Sequence, residues 1–254
     1  MFRVRSAMAL AATLLQASAC AAEPIALYTE DYPPFNWADK ASGKVTGLSV
    51  DIVAELMRRA GVATAGPFLL PWARALRQTA ITPNSCLYIT ARTPEREAKF
   101  QWIGPINRND WVLFARRSDH IVLRNLDDAK PYKIGTSIDD ASISVLREHQ
   151  LQFTLTSSER LNPAKLQMGR IQLWSIGRLP GLSMLREMGI MDVEPVLTFI
   201  QADMYLSCNK SMDATEAARL NDVLHGMYRD GTIQHIYTRY GYEKEAPRLG
   251  AASR

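Results

Sequence analysis

The sequence predicts an α/β fold in two lobes, and three observations carry that reading. Over the first hundred residues, short apolar stretches of strand composition alternate with amphipathic helical stretches. A polar break at Arg116-Arg117-Ser118-Asp119 interrupts this alternation, which restarts at Tyr132. A chain of 254 residues is also long enough to enclose two cores. Strand, helix, strand in succession implies parallel strands joined by helical crossovers.

Residues 25–29 read as the first strand. Glu30-Asp31-Tyr32-Pro33-Pro34-Phe35-Asn36-Trp37 then forms a stiff loop, because two prolines cannot donate to a ladder. Its three aromatics either staple the core or wall a pocket. Residues 49–60 have helical periodicity, with Ile52, Val53, Leu56 and Met57 on the buried face, Ser49 as N-cap and Gly61 as the stop. Residues 68–70 form a second strand, Pro71 opens a helix carrying Trp72 and Ala75, and residues 86–90 form a third strand. A further strand, 111–115, precedes the polar break.

The second unit reads as a short helix at 126–130, a strand at 132–136 and a helix capped by Asp139 or Asp140. A strand at 153–155, a helix at 162–168, a strand at 171–176, a helix at 179–188 and an extended run at 193–199 follow. Gly169 and Gly189 stop the two helices. Residues 203–208 form a strand, Asp213-Ala214-Thr215-Glu216 has the spacing of a capping box, and residues 232–240 form the last helix. The polar residues 247–254 are expected to be a loose tail.

The stretch 85–106 is the most informative. After the strand, Thr93 suits an N-cap, Pro94 the first helical position, and Glu95 and Glu97 a short first turn. Arg96 is thereby held just beyond a strand end, beside free backbone N–H groups. That is either a place to bind an anion or a surface arginine in a charged turn.

The N-terminus reads as an export signal at residues 1–22: Arg3 and Arg5, an apolar core at residues 9–15, then small residues to Ala22. The apolar run is too short to span a bilayer. Cleavage near Ala22 is the expectation. Ala17-Ser18-Ala19-Cys20 lacks a large aliphatic residue three places before the cysteine, which disfavours a lipid anchor at Cys20 without closing the question. The formal charge of +4 falls to +2 without Arg3 and Arg5, since 28 basic then face 26 acidic residues. So balanced a charge points away from nucleic acid and anionic membranes as partners. Export leaves two cysteines, Cys86 and Cys208, in an oxidising compartment, either as a disulfide or as two buried thiols. The four histidines are scattered, and the sequence holds no metal-binding helix motif, nucleophile elbow, phosphate loop or dinucleotide fingerprint. No metal or cofactor is expected.

Several motifs together resemble one family. They are the export signal, Tyr32-Pro33-Pro34-Phe35-Asn36, Gly47 ahead of Val50-Asp51-Ile52-Val53, Thr93-Pro94-Glu95-Arg96 followed by Phe100 and Pro105, and Met227-Tyr228-Arg229-Asp230-Gly231-Thr232-Ile233. Their order is similar to that in the family 3 bacterial extracellular solute-binding proteins, the periplasmic receptors of polar amino-acid ABC transporters. The resemblance implies a periplasmic-binding-protein-like fold, with two α/β lobes joined by two hinge strands and closing on a ligand. Lobe 1 would hold residues 23–114 and 205–246, and lobe 2 residues 115–204. It also implies a non-enzymatic monomer that feeds an ABC permease in the inner membrane.

By the same resemblance, Arg96 would pair with a ligand carboxylate. Aromatic residues at Tyr32 and Trp72 would flank the ligand; from the residues themselves, Tyr32 or Trp37 forms one wall and Trp72 the other, with Trp111 nearer the hinge. Ser137 and Asp140 would add polar contacts. Two departures stand out. The family's hydroxyl contact falls at Ala91, and the Asp that pairs with an α-ammonium falls at Gly177, beside Arg178. Asp139, Asp140 or Glu30 would have to replace that Asp. Otherwise the ligand is an organic anion, which Arg92 and Arg178 would suit. Two other readings remain: a cyclohexadienyl-dehydratase-like enzyme on this fold, or a sensor for a membrane partner. With both cysteines in lobe 1, the fold would set the third strand antiparallel to the returning one, within bridging distance.

Overall fold

The computed structural model describes residues 23–247. The expected signal peptide, Cys20 and all but the first residue of the expected tail lie outside the described residues. In chain order the elements are β1 (Ile25–Thr29), β2 (Trp37–Ala38), β3 (Val45–Thr46), α1 (Leu48–Ala60), β4 (Thr64–Leu69), α2 (Trp72–Ile81), β5 (Ser85–Ala91) and α3 (Pro94–Glu97). They continue with β6 (Phe100–Arg108), β7 (Trp111–Arg116), β8 (Ile134–Ser137), α4 (Ser142–Glu148), β9 (Phe153–Thr156), α5 (Leu161–Gln167) and β10 (Leu173–Gly177). The last are α6 (Arg178–Glu187), β11 (Val193–Ile200), β12 (Asp203–Asn209), α7 (Ala214–Arg229) and α8 (Thr232–Arg239).

Two five-stranded sheets organise the chain, in the orders β4-β1-β5-β12-β6 and β11-β7-β10-β8-β9. In the first, β1 runs parallel to β4 and β5, and the returning β12 is antiparallel to both β5 and β6. In the second, β8 is parallel to β9 and β10, while β7 lies antiparallel to β10 and β11. Because β7 pairs only in the second sheet, the first crossing falls at residues 109–110, ahead of the 114/115 boundary read from the sequence. The second crossing is at residues 201–202, and the Asn109 N–H donates to the Ala202 carbonyl at 2.9 Å, which ties the two crossings side by side.

Side chains on successive residues of β7 point to opposite faces. Val112 and Phe114 join the apolar cluster that runs through the first lobe and one face of the second sheet. Leu113 and Ala115 join a separate cluster with Ile134, Leu146 and Leu173 on the other face. The alternation of strands and helices expected from the sequence is present, with ends shifted by one to four residues. Ser49 is a correction. Gly47 is the N-cap of α1, and Ser49 is buried within the first turn, where its hydroxyl donates to Asn107 Oδ1 at 2.8 Å. Gly47 adopts φ +134°, and a Cβ there would lie 2.3 Å from the Phe35 carbonyl oxygen. The capping box is half made: Asp213 Oδ1 accepts from the Thr215 and Glu216 N–H groups, while Glu216 turns to Arg219.

Cys86 on β5 and Cys208 on β12 are direct partners in the antiparallel ladder and are bonded, with Cα atoms 3.9 Å apart. Both lie in one sheet, so the bridge does not tie one lobe to the other. It spans a sequence separation of 122 residues, for which loop-closure entropy predicts stabilisation of about 3–5 kcal/mol. Thiol titration of the exported protein under denaturing, non-reducing conditions should find neither thiol free. Reduction should lower the melting temperature by several degrees or more.

Candidate functional site

The loop after β1, the β5–α3 turn, the start of α2, the β8–α4 turn and the start of α5 all meet between the two sheets. Their side chains enclose a cavity of about 30 Å³, lined by Glu30, Tyr32, Trp72, Ile89, Ala91, Arg96, Trp111, Ser137, Asp140, Ala141, Glu159 and Met204. This is room for about one or two waters. Strand ends gather here because parallel strands of both sheets point their carboxyl ends toward the cleft.

Among the described residues Arg96 is the only cation that lines it. Thr93 takes the N-cap position of α3 and Pro94 the first helical one, which turns Arg96 inward, 8% exposed. Its Nη1 donates to the Ala91 carbonyl at 3.2 Å, within its own lobe. Its Nη2 donates to the Asp139 carbonyl at 2.6 Å, in the other lobe. The guanidinium carbon lies 5.2 Å from the centre of the Trp72 ring. Trp72 Nε1 donates to the same Asp139 carbonyl at 3.1 Å, so that one carbonyl holds two groups of the first lobe. Asp139 sits at φ +61°, which costs a non-glycine residue about 1 kcal/mol and aims this carbonyl across the cleft.

Three carboxylates face Arg96. Asp140 Oδ1 accepts from the Ser142 N–H at 2.7 Å and the Ser142 hydroxyl at 2.5 Å, and Oδ2 accepts from Trp111 Nε1 at 3.4 Å. The expected cap of α4 is therefore made by Asp140, one residue ahead of the formal N-cap, Ala141. Glu159 Oε1 accepts from Asn162 Nδ2 at 2.8 Å and from Trp174 Nε1. Glu30 receives no side-chain hydrogen bond among the described residues. Burial first, then the Glu159, Asp140 and Asp31 charges, hold the Glu30 carboxyl well above the usual carboxylate range. Burial likewise raises Asp140, against the bonds from Ser142, and pushes Glu159 up to about 7, against those from Trp174 and Asn162. Arg96 is lowered by burial, against the pull of Asp140.

Tyr32, Trp72, Ala91, Arg96, Ser137 and Asp140 all line the cavity. Five other sequence candidates do not, among them Asp139, whose carboxylate faces Arg77 at 3.8 Å. Trp37 sits in the β2–β3 hairpin and packs edge-on against Tyr240, because the proline loop sends its three aromatics different ways: Tyr32 to the cavity, Phe35 to the core and Trp37 outward. Arg178 starts α6 with an exposed side chain, and its N–H donates to the Asp110 carbonyl at 2.8 Å. Arg92 forks onto Glu97 between the Trp102 and Tyr205 rings. Gly177 stays behind the cavity wall, and its N–H donates to the Tyr32 hydroxyl at 3.2 Å. A Cβ at Gly177 would lie 2.1 Å from Asn109 Nδ2, so no acidic side chain fits there while Asn109 keeps its place. Glu159 and Trp174 escaped the sequence reading. The available signal was a glutamate just past the end of a strand of the second sheet.

A model of the bacterial extracellular solute-binding proteins, family 3, matches residues 25–243. The chain belongs to that family. Among curated proteins no sequence matches it. Solved structures do. A histidine kinase sensor domain with similarity to periplasmic binding proteins is 20% identical with a TM-score of 0.78, covering 91% of this chain and 98% of that one. An ancestral arginine-binding protein bound to arginine is 18% identical with a TM-score of 0.75, covering 85% and 97%. An ancestral amino acid-binding protein described as a precursor of cyclohexadienyl dehydratase is 16% identical with a TM-score of 0.71, covering 85% and 94%. At these identities the likeness establishes the two-lobed family fold. No helix among the described residues of this solute-binding protein is long and apolar enough to cross a membrane.

The cleft carboxyls set a pH dependence of stability. A carboxyl raised in the folded state holds its proton there and loses it in the unfolded chain, so its contribution is complete below about pH 4.5 and is lost as pH rises through about 7. The strongly lowered carboxylates, Glu55 and Asp230 at about 2, titrate below that window. Melting temperature should therefore fall from pH 5 to pH 8. Glu159→Gln should flatten the fall by raising stability at pH 8 more than at pH 5. A wild-type profile that rises across this window would contradict the assignment.

Proposed function

We propose that this solute-binding protein is a periplasmic, non-enzymatic receptor that captures a small carboxylate-bearing ligand between its lobes and delivers it to an ABC permease. One observation supports it above all others: a single buried guanidinium, Arg96, projects from lobe 1 into the cleft and donates to a backbone carbonyl of lobe 2. A ligand carboxylate offers the same donor a bidentate, charged partner in place of a neutral one. Opening at the paired crossings makes the room that a cavity of about 30 Å³ lacks. Trp72 and Trp111 supply flat walls, and Asp140 supplies an acceptor for a neighbouring ammonium, the role for which Gly177 has no side chain.

A second reading, acid–base catalysis on the same fold, draws on Glu159, whose proton is held near neutral pH in an enclosed cavity. Turnover of a prephenate-like anion by the purified protein would favour it over capture.

Arg96→Ala tests the capture reading. Calorimetry with amino acids and small organic acids should show a loss of about 2–5 kcal/mol in binding. The far-ultraviolet circular dichroism should be unchanged. Wild-type affinity in the variant would remove Arg96 from the site.

A further inference from the structure

We propose that the ligand carries, beside the carboxylate that Arg96 holds, an uncharged apolar tail of several carbons that lies in a chamber between α2 and α4. The inference rests on the capture reading and names the chemical class that the site takes. Arg96, Asp140 and Ala141 line both the central cavity and this chamber of about 580 Å³. The clamp therefore stands in the chamber wall, and a carboxylate on the guanidinium has the chamber beside it. Among the described residues Arg96 gives one hydrogen bond from each terminal nitrogen, to the Ala91 and Asp139 carbonyls, which leaves its other N–H groups to a ligand.

Both lobes give the chamber apolar walls. Leu76 and Ala80 of α2 and Phe100 of β6 line it from the first lobe, and Ile138, Ile143 and Leu155 line it from the second. Ile138 and Leu155 stand where β8 and β9 end, joined there by the Ile138 N–H on the Thr156 carbonyl at 2.9 Å. They keep 38% and 44% of their surface exposed, so two large aliphatic side chains await cover beside the clamp. The charged residues of the chamber pair with one another or stay at its rim. Arg77 faces Asp139 at 3.8 Å, the Arg147 guanidinium lies 5.9 Å from the centre of the Phe153 ring, and Glu95 and Lys99 are exposed at the two ends of the α3 turn. Asp140 is held by Ser142 and Trp111. Beyond the clamp the chamber thus offers a tail apolar area rather than a counter-charge.

Two other chambers adjoin the cavity, and Arg96 lines neither. One of about 660 Å³, beyond Trp72, is lined by three carboxylates, Glu30, Asp31 and Glu159, and three arginines, Arg74, Arg77 and Arg160. The other, of about 770 Å³ beside the crossings, carries Arg92, Glu97 and Asp203. An apolar tail would desolvate those charges, whereas along Ile138 and Leu155 it covers carbon. A methylene taken fully out of water there tightens binding about fourfold.

Titration calorimetry of the exported protein with two series tests the inference: L-alanine, L-norleucine and L-2-aminooctanoate, and butanoate, hexanoate and octanoate for a ligand without an ammonium. Within the series that binds, affinity should rise about two- to fourfold per added methylene. L-Lysine, which ends a norleucine-like chain in an ammonium, should bind more weakly than L-norleucine. Leu155→Asn and Ile138→Asn, each checked for cooperative melting, should flatten the series, while Leu70→Asn, on the chamber beyond Trp72, should leave it unchanged. Binding that depends on Arg96 but not on chain length would overturn the tail and leave capture intact, as would lysine binding more tightly than norleucine. A chain-length dependence that survives both chamber variants, or that Leu70→Asn abolishes, would overturn the assignment to this chamber. Silence from both series and from lysine would overturn the tail and the capture reading together.

Discussion

A lone guanidinium sharing a cavity of about 30 Å³ with three carboxylates is the constraint on which the rest of this structure depends. Each of those groups is desolvated by its place between the two sheets, and a desolvated charge is tolerated only with hydrogen bonds and a partner. Arg96 has both a carbonyl from each lobe and a ring to lie against. Asp140 is held by Ser142 and Trp111, and Glu159 by Asn162 and Trp174. Several of the buried polar groups are thus explained by the need to satisfy this cluster. Glu30 is the exception, since its carboxyl accepts no side-chain hydrogen bond among the described residues.

Closure is held by few contacts. The Asp139 carbonyl collects Arg96 and Trp72, and at the rim Arg160 joins Asp31 of the first lobe to Glu187, which also meets Lys40. The rim pairs are solvated at side-chain exposures from 36% to 89%, so each contributes about 0–1 kcal/mol. The disulfide does not oppose closure, because Cys86 and Cys208 sit on adjacent strands of one sheet. The crossings at residues 109–110 and 201–202 lie side by side, joined by the bond from the Asn109 N–H to the Ala202 carbonyl.

The alternation of strands and helices was legible because it is a local property. Apolar periodicity, prolines and helix-stopping glycines mark elements wherever they lie. Ser49 shows the limit of local signals. A serine before an apolar run resembles a cap, yet the close approach of the Phe35 carbonyl puts Gly47 at that position and sends Ser49 to Asn107, far along the sequence. Among aromatics on one loop, and among Arg92, Arg96 and Arg178, nothing local distinguishes a side chain that enters a cleft from one that turns outward.

The sequence by itself determined the two-unit α/β plan, the short turn that carries Arg96 and the family, because these depend on motif order and on neighbours within a few residues. The tertiary structure alone decided that β7 belongs to the second sheet, that Asn109 fills the space beside Gly177, and that Glu30, Asp140 and Glu159 face one another. The physical reason is that desolvation and charge repulsion depend on distance in space. Those three carboxylates come from segments up to 129 residues apart, brought together only by the packing of two sheets across a cleft.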